Sequence, residues 1–328
     1  MYQQLKIGQL VLKNRYILAP MAGWTNLSYR TLCRQFGCSL AFTEMIKARA
    51  FVENSQRTLE MLKSNSMDKP LGVQLLGQDD AMMSEAAQRL EDMGVDIIDI
   101  NMGCPVPKVV CKGEGAALLK EPKKVSQVLS KIRSAIQIPL TLKMRSGWDE
   151  KNKNALEIVK IAEEAGVDAI TIHGRTKEQM YSGRCDRTII QDVKANTHIP
   201  ILASGDLFTP VDIQEMLVQT GCDGVWLARG TMGRPWIFKA ACEYIESGRS
   251  FDMVNPDLIL KSLKEHFTLL VQEVGDKNAI LEIRKVASQY LKDFPKSSEV
   301  RNHINQVQSQ DEFYNILNFA QKVMGIAC

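Results

Sequence analysis

A cysteine at position 104 has surroundings that favour chemistry, in the segment NMGCPVPKVVCKGEGAALL. Cys104 follows an apolar run and is flanked by prolines and glycines, which predict a loop around it. A loop thiol can serve as nucleophile, metal ligand or general acid. A metal site is disfavoured because no other Cys or His has ligand-like spacing with Cys104. A nucleophile would need a base, for which His173 is a candidate. A thiol with an ordinary pKa of about 8.5 is mostly protonated at neutral pH and suits proton donation.

Polar, cationic and glycine residues stand at the ends of the apolar runs. Turns at Gly205 and Gly230 could present backbone N–H groups to a phosphate, with Arg229 adding a charge-assisted contact. Lys143, if buried, needs an electron-rich partner. Singly, each has an ordinary alternative, since Lys143 could be an ion-pair partner and His173 a structural histidine. Together they indicate a binding site, whose members are Pro20, Met21, Ala22, Gln74, Asn101, Lys143, Arg145, His173, Arg175, Ser204, Gly205, Asp206, Ala228 and Arg229.

Eight short, almost continuously apolar runs are the elements that must position these residues. Such runs are typical of strands that are covered on both faces. Stretches between them, such as ALEIVKIAEEAG, have the apolar period of helices. The alternation predicts an α/β fold, a TIM (β/α)8 barrel whose active site lies at the carboxyl ends of the strands, with a doubly wound open sheet as the alternative. The predicted strands cover residues 16–20, 40–45, 71–77, 97–103, 139–145, 169–175, 200–206 and 224–230.

The sequence changes character near residue 250. From Pro256 onward it is typical of helices only, and residues 252–256 form the predicted linker. We therefore predict a barrel domain over residues 1–250 and a small C-terminal all-helical domain over residues 251–328. The opening LKIGQLVLKNR predicts a short hairpin that plugs the bottom of the barrel.

Composition limits the class of protein. Hydrophobic residues make up 45% and charged residues 24% of the 328 residues, which is typical of globular chains. The net charge of +3 is weak evidence for a nucleic-acid partner, although a local basic patch can hide in a balanced total. The eight cysteines show no zinc-like or redox-like spacing, which favours a reduced, cytoplasmic setting. Neither a signal peptide nor a run of about 18 apolar residues is recognised, so no membrane segment is expected.

The sequence resembles the tRNA-dihydrouridine synthase family, in its bacterial, nitrogen-regulation-like branch. The matching motifs occur in family order and span the whole barrel, and NMGCP with Lys108 and the glycine loop is the most specific of them. The family often has Asn in place of Ser204, Gly in place of Ala228, and Ala-Asp-Trp in place of residues 185–187. The motifs are APMAG (19–23), TEM (43–45), QLLG (74–77), residues 101–119, LKMRSGWD (142–149), IHGRTKEQMYSG (172–183), SGD (204–206) and ARGTMGRPWIF (228–238).

The resemblance implies an FMN at the barrel mouth, reduced by NADPH or NADH. The reduced flavin would give hydride to carbon 6 of a uracil, and Cys104 would protonate carbon 5 from the other face. The implied flavin contacts are Pro20, Met21 and Ala22 along the ring system, Gln74, Lys143 and His173 at the ring or its tail, and Ser204, Gly205, Asp206, Ala228 and Arg229 at the phosphate end.

The resemblance also implies tRNA as the substrate, with the target uridine drawn out of the folded RNA. Candidates for contact with the uridine are Asn101, Arg145 and Arg175. The helical domain would bind the tRNA backbone through a basic stretch at 284–301, for which a solvated helix face is the alternative. Its candidate residues are Lys285, Lys292 and Arg301. A monomer without metal or membrane contact is expected.

Two other functions compete with this hypothesis. A flavin barrel acting on a free pyrimidine, such as a dihydroorotate dehydrogenase, would share the chemistry but would not need a helical appendage. A tRNA-binding protein without catalysis would not need Cys104, Lys143 and His173. Purified protein without flavin colour that still binds tRNA would favour the second alternative.

Overall fold

Eight parallel strands form a closed barrel in the structure, a computed structural model that describes residues 4–292 and 297–323. All eight predicted strands are present, and the pairing of Ala41 with Leu71 closes the ring. Closure excludes an open sheet and confirms the (β/α)8 prediction. In chain order, the strands are β1 (Leu5–Ile7), β2 (Leu10–Leu12), β3 (Tyr16–Leu18), β4 (Leu40–Phe42), the short β5 (Ile46–Lys47), β6 (Leu71–Leu76), β7 (Ile97–Met102), β8 (Leu140–Arg145), β9 (Ala169–His173), β10 (Ile201–Ser204) and β11 (Gly224–Leu227).

Helices follow the strands and cover the outside of the barrel. They are α1 (Leu27–Gln35), α2 (Ala48–Val52), α3 (Gln56–Met61), α4 (Asp80–Asp92), α5 (Pro107–Val110), α6 (Pro122–Ala135), α7 (Ala155–Glu164), α8 (Thr188–Ala195), α9 (Pro210–Thr220) and α10 (Ile237–Ser247), with 3-10 turns at Gly115–Lys120 and Arg229–Thr231. Side chains at helix starts accept first-turn amides: Asn26 at α1, Asp79 at α4, and Thr209 with Asp212 as a capping box at α9. These caps fix the residue at which each of these loops ends and the following helix begins.

A hairpin of β1 and β2 closes the bottom of the barrel, as predicted. Leu5, Ile7 and Leu12 are buried in one apolar cluster with Phe42 and Trp226, whose ring centroids lie 4.5 Å apart. This apolar layer seals the amino-terminal end of the strands. Buried polar residues therefore concentrate at the opposite end.

The C-terminal segment is helical throughout its described residues. Its helices are α11 (Pro256–Leu291), α12 (Ser297–Gln306) and α13 (Gln310–Val323), and Gly275, with φ 75° and ψ 163°, interrupts α11. Phe267 and Phe313 pack at the centre of their core with centroids 4.1 Å apart. Leu32 of α1 and Trp236 join the same core, so the helical segment and the barrel share an apolar contact.

Polar and backbone contacts fasten the helical segment beside the barrel mouth. The Glu273 carboxylate accepts the amides of Leu27 (3.3 Å) and Ser28 (2.7 Å) at the start of α1. Gly233, with φ 69°, lies so close to the backbone of Gln289 and Tyr290 that a Cβ there would overlap it. Both anchors follow directly on loops that bear predicted site residues. None of the helices in the described part of the chain is long and apolar enough to span a membrane.

Candidate active site

Buried polar side chains on three adjacent strands form the floor of the barrel mouth. Asp99 on β7 accepts hydrogen bonds from Gln74 Nε2 and from Thr141 Oγ1, both at 2.7 Å, through separate oxygens. Gln74 Oε1 accepts from Asn101 Nδ2 at 2.7 Å. Burial raises the pKa of Asp99 to about 7, against hydrogen bonds from Gln74 and Thr141 that lower it. The floor is therefore a connected network rather than a set of separate groups.

The Cys104 loop is tied directly to this floor. Asn101 Oδ1 accepts the backbone amides of Gly103 (3.1 Å) and Cys104 (2.8 Å). The Cys104 carbonyl accepts the amide of Ala116 at 3.1 Å, and a Cβ on Gly115 (φ 61°) would lie 2.8 Å from that carbonyl oxygen. The glycine-rich part of the motif therefore folds back onto the cysteine. Hydrogen bonds to both the backbone N–H and the backbone carbonyl of Cys104 therefore fix this half-buried residue.

Lys143 on β8 brings a positive charge to the same mouth. Within residues 4–292 and 297–323, its ammonium makes no hydrogen bond or ion pair. Burial and Arg145 lower the pKa of Lys143 to about 8, whereas Asp99 and Cys104 raise it. A half-buried ammonium with no protein partner is suited to a bound group that carries negative charge.

His173, at the end of β9, is a neutral hydrogen-bond donor. Its Nδ1 accepts the backbone amide of Arg175 at 3.2 Å, which leaves the ring proton on Nε2. Burial holds the pKa of His173 well below its usual value, and the positive charges of Lys143, Arg145 and Arg175 lower it further. The ring can therefore donate a hydrogen bond without adding charge.

Arg145 is buried and holds two loops together. Its guanidinium donates to the carbonyl oxygens of Gly103 (2.8 Å), Thr176 (2.7 Å) and Met180 (2.8 Å). The loop that carries Cys104 is thereby joined to the loop after β9. The structure thus gives Arg145 a loop-organising role, and its predicted contact with a substrate stays a prediction.

Asp206 joins the loops that follow β9, β10 and β11. Its carboxylate accepts two hydrogen bonds from Arg175, at 2.9 and 2.7 Å, and one from the amide of Cys185 at 2.8 Å. Arg229 approaches the same carboxylate at 3.5 Å. Arg175 also donates to Ser182 O at 3.0 Å, so it too is engaged by the protein. Its contact with a substrate stays a prediction.

Backbone amides with no acceptor mark the predicted phosphate end. The amides of Gly205 (φ 119°) and Asp206 (φ 53°) donate to no acceptor in the described part of the chain. Arg229 opens a 3-10 turn after Ala228, and the first amides of such a turn have no partner within it. Ser204, the last residue of β10, is buried beside them. Free N–H groups next to a partly exposed guanidinium form a site that fits an anion.

Tyr181 and Phe208 lie at the rim, and the sequence interpretation did not single them out. The Arg229 guanidinium lies 4.9 Å from the Tyr181 ring centroid and 5.4 Å from that of Phe208. Arg145 lies 5.7 Å from the same Tyr181 ring, whose residue is 54% exposed. An exposed aromatic ring between two guanidiniums can stack on a flat base. The signal in the sequence was an aromatic residue within the polar loop KEQMYSGR.

The loop after β3 forms a tight turn at the first strand end. Met21 N–H donates to Thr25 Oγ1 at 3.0 Å, and Gly23 N–H donates to Glu44 Oε2 at 2.8 Å. Pro20 and Met21 are half-buried and Ala22 is exposed. Hydrogen bonds from Met21 itself and from nearby Gly23 therefore place the predicted ring-contact residues.

The mouth as a whole is rich in donors. It combines the Lys143 ammonium, the His173 Nε2–H and the free amides of Gly205 and Asp206, and the buried Ser146 hydroxyl there has no partner in the described residues. Such a set fits a bound group that has acceptor-rich and anionic edges. No group of three or more His, Cys, Asp or Glu residues placed to hold a metal ion occurs in the described ranges.

Comparison with known proteins identifies the family. The Dihydrouridine synthase (Dus) family matches residues 17–324, which covers the barrel and the helical segment. The chain belongs to the dihydrouridine synthase family. The tRNA-dihydrouridine synthase B of Pseudomonas aeruginosa is 37% identical over 307 residues, which are 94% of this chain and 92% of that protein. That of Shewanella oneidensis is 35% identical over 315 residues, 96% of this chain and 98% of its own.

Solved structures share the fold of this dihydrouridine synthase family member. Histamine dehydrogenase from Rhizobium sp. 4-9 superposes with a TM-score of 0.60 at 12% identity, covering 99% of this chain and 64% of its own. The complex of 2-naphthoyl-CoA reductase with 2-naphthoyl-CoA superposes with a TM-score of 0.58 at 12% identity, covering 74% of this chain and 52% of its own. These likenesses concern the barrel fold alone. Membership of the dihydrouridine synthase family makes the chain a flavin-dependent oxidoreductase.

The departures from the usual dihydrouridine synthase motifs are accommodated locally. Arg187 reaches outward, donating to Glu215 Oε2 at 3.1 Å and to Gln219 Oε1 at 2.8 Å on α9. The Cys185 thiol lies 3.5 Å from the carbonyl oxygen of Ser204, where it fills space beside Gly205. The loop is therefore fastened to the barrel wall without the tryptophan that the family often has.

The predicted tRNA-binding cations lie on the helical segment of this family member. Lys285 and Lys292 are exposed and Arg301 is half-buried. Lys285 pairs with Glu282 at 2.6 Å on the same helix, which offsets part of its charge. Arg284, by contrast, donates to Val307 O at 2.8 Å and fastens α11 to the turn before α13. Residues 293–296 of the basic stretch, with Asp293 and Lys296, lie outside the described residues.

Proposed function

We propose that the protein is a tRNA-dihydrouridine synthase that reduces uridines of tRNA to 5,6-dihydrouridine, with FMN as cofactor and NADPH or NADH as reductant. The names and coverage of its relatives support the reaction class. The observation that carries the proposal is the Cys104 loop, fastened over the mouth that also holds Lys143 and His173. When bound and reduced, FMN supplies the hydride that carbon 6 of the uracil receives.

Cys104 is the proposed proton donor. Addition of hydride at carbon 6 leaves negative charge on carbon 5 and the adjacent carbonyl group. Transfer of the Cys104 thiol proton to carbon 5 removes that charge, and the thiolate regains a proton from solvent. Asn101 Oδ1, which accepts the Cys104 amide, and the Ala116 amide, which donates to the Cys104 carbonyl, hold this residue in place.

Lys143 and His173 complete the proposed ring-binding part of the mouth with Gln74. Lys143 is mostly charged below pH 8 and would stabilise negative charge on the ring system. His173 would donate through Nε2 as a neutral group. The loop of Pro20, Met21 and Ala22 would cover one side of the ring system.

The free amides after β10 are the proposed phosphate contacts. Gly205 and Asp206 would donate through the backbone, and Arg229 would add a positive charge. The Asp206 carboxylate itself would face Arg175 rather than the phosphate, because both of its oxygens already accept hydrogen bonds from that guanidinium. Ser204 and Ala228 would frame the same site.

The proposed substrate contacts combine the mouth with the helical segment. A uridine must leave the RNA stack to reach the floor, where Asn101, Arg145 and Arg175 are candidates and Tyr181 offers a stacking surface. Residues 251–328 would act as a tRNA-binding domain attached to a catalytic barrel of residues 1–250.

Replacement of Cys104 tests the proposal. Cys104→Ala should keep the yellow flavin but lose roughly 100-fold to 10,000-fold of dihydrouridine formation, the usual contribution of a positioned acid. Cys111→Ala, in the same loop but exposed, is the matched control and should keep near-full turnover. Each variant would be given tRNA from cells that lack the protein, and the dihydrouridine formed in that tRNA would be measured. Full activity of Cys104→Ala would place the proton donor elsewhere, and turnover of free pyrimidine without any of tRNA would replace the proposed substrate.

A further inference from the structure

We propose that Asp99 is a positioning residue that sets the direction of a hydrogen-bond relay ending on the backbone of Cys104. The relay runs from the Asp99 carboxylate through the side-chain amides of Gln74 and Asn101 to the amide of Cys104. The inference rests on the proposed function in one respect, since it treats Cys104 as the proton donor.

The two ends of the relay leave only one arrangement between them. When it is ionised, Asp99 can only accept, here from Gln74 and Thr141, so Gln74 must turn its NH2 group towards it. The oxygen of Gln74 then faces Asn101, which must offer its own NH2 group. The oxygen of Asn101 is left for the loop, where the backbone amide of Cys104 can only donate. Acceptor and donor alternate without conflict from end to end.

The relay connects a rigid floor to a loop. Asp99 and Gln74 are 0% and 1% exposed on neighbouring strands β7 and β6, whereas Cys104 lies beyond the strand end. An inverted Asn101 amide would set its NH2 group against the N–H groups of Gly103 and Cys104 and would leave buried donors unpaired. Within the described residues Asp99 makes no hydrogen bond to the Cys104 loop, so its effect on Cys104 passes through the two amides.

Exchange of acid and amide between positions 99 and 101 tests the direction. Asn101→Asp alone sets a carboxylate against the oxygen of Gln74, and a turned Gln74 then sets its oxygen against Asp99. Asp99→Asn alone is mild, because the introduced amide can offer its oxygen to Gln74 and its NH2 group to Thr141. In the double variant, the amide introduced at position 99 donates to the oxygen of a turned Gln74. The NH2 group of Gln74 then donates to the carboxylate introduced at position 101. That carboxylate still accepts the Cys104 amide. We expect a roughly tenfold or larger loss of kcat for Asn101→Asp, little loss for Asp99→Asn, and recovery in the double variant.

Recovery cannot arise from charge at position 101, since the double variant keeps the introduced carboxylate there. Any contact between Asn101 and the uridine is lost equally in Asn101→Asp and in the double variant, so a difference in kcat between these two variants reports the relay. If Asn101→Asp does not fold, recovery is judged by whether the double variant yields folded, flavin-containing protein. A double variant as impaired as Asn101→Asp, or worse, overturns the proposal.

Alkylation of the thiol by iodoacetamide gives a second measurement that needs no turnover. The rate at Cys104, followed by mass spectrometry, should change several-fold in Asn101→Asp and return to the original value in the double variant. Exposed Cys111 in the same loop should react at one rate in all variants. If wild-type protein makes no dihydrouridine, the proposed function fails, while the alkylation pattern still decides on the relay. Equal alkylation rates of Cys104 in all variants would overturn the proposed relay.

Discussion

Lys143 is the residue whose protonation should most directly control cofactor binding. Burial and Arg145 lower its pKa to about 8, so the ammonium is charged below that pH and increasingly neutral above it. Affinity for FMN should therefore be constant up to about pH 7.5 and fall by up to about tenfold for each further unit above pH 8. Fluorescence titration of FMN across pH 6.5–9.5 would measure this.

Two variants separate this effect from general unfolding at high pH. Lys143→Arg keeps the charge, so FMN should bind tightly at every pH in the range. Lys143→Met removes the charge, so FMN should bind weakly at every pH. A profile for the original protein that is flat through pH 9 would show that Lys143 does not carry the interaction.

The sequence located strand-end residues better than it located their partners. Lys143 and His173 were found because they are polar residues near the carboxyl ends of apolar runs, and the barrel brings such ends together. Asp99 was missed because it sits within a run and is distinguished only by Gln74 and Thr141 on neighbouring strands. Arg145 was predicted only as a substrate contact, since the loop carbonyls of Thr176 and Met180 that it binds cannot be deduced from spacing.

At the element scale, the turn after β11 should control how the helical segment docks. Gly233→Ala combines a positive φ of 69° with overlap against the backbone of α11. We expect a loss of about 3 kcal/mol in the free energy of unfolding. Guanidinium unfolding of the flavin-containing protein, followed by helical circular dichroism, would measure it.

Gly248→Ala is the matched control for this prediction. Gly248 has φ 65°, nearly the same backbone strain, but nothing lies within 4 Å of the position of its Cβ. Its loss should be about 1 kcal/mol, so the difference between the two variants reports the contact with α11. Equal losses would mean that α11 adapts to the added methyl group.

The elements themselves were largely predictable, because their signals are local. Each barrel strand was a run of apolar residues, and helix starts such as Thr209 with Asp212 carry their own caps. The break of α11 at Gly275 falls between two stretches that the sequence already separates, residues 258–274 and a helical stretch that begins at residue 279. The motif ARGTMGRPWIF was interpreted as one unit, but its Arg229 end faces the mouth and Gly233 and Trp236 face the helical segment.

At the scale of the whole molecule, barrel and helical segment are joined rather than tethered. Leu32 and Trp236 lie in the helical core, and Glu273 caps the helix that follows the first strand-end loop. A substrate held by the helical segment would therefore be held at a fixed distance from Cys104. The sequence predicted two parts and their order, but the shared core depends on contacts between residues more than 200 positions apart, such as Ser28 and Glu273, which no local pattern reveals.

This fixed arrangement makes tRNA binding a test of the whole molecule. Replacement of Lys285, Lys292 and Arg301 together with Gln should weaken tRNA binding at low salt by about tenfold or more. It should also reduce the slope of log Kd against log salt by about 2, because fewer counterions are released. Lys123, Lys131 and Lys160, which are exposed on α6 and α7, provide a control triple of equal charge. Equal slopes for the two triples would mean that the tRNA lies on another face of the molecule.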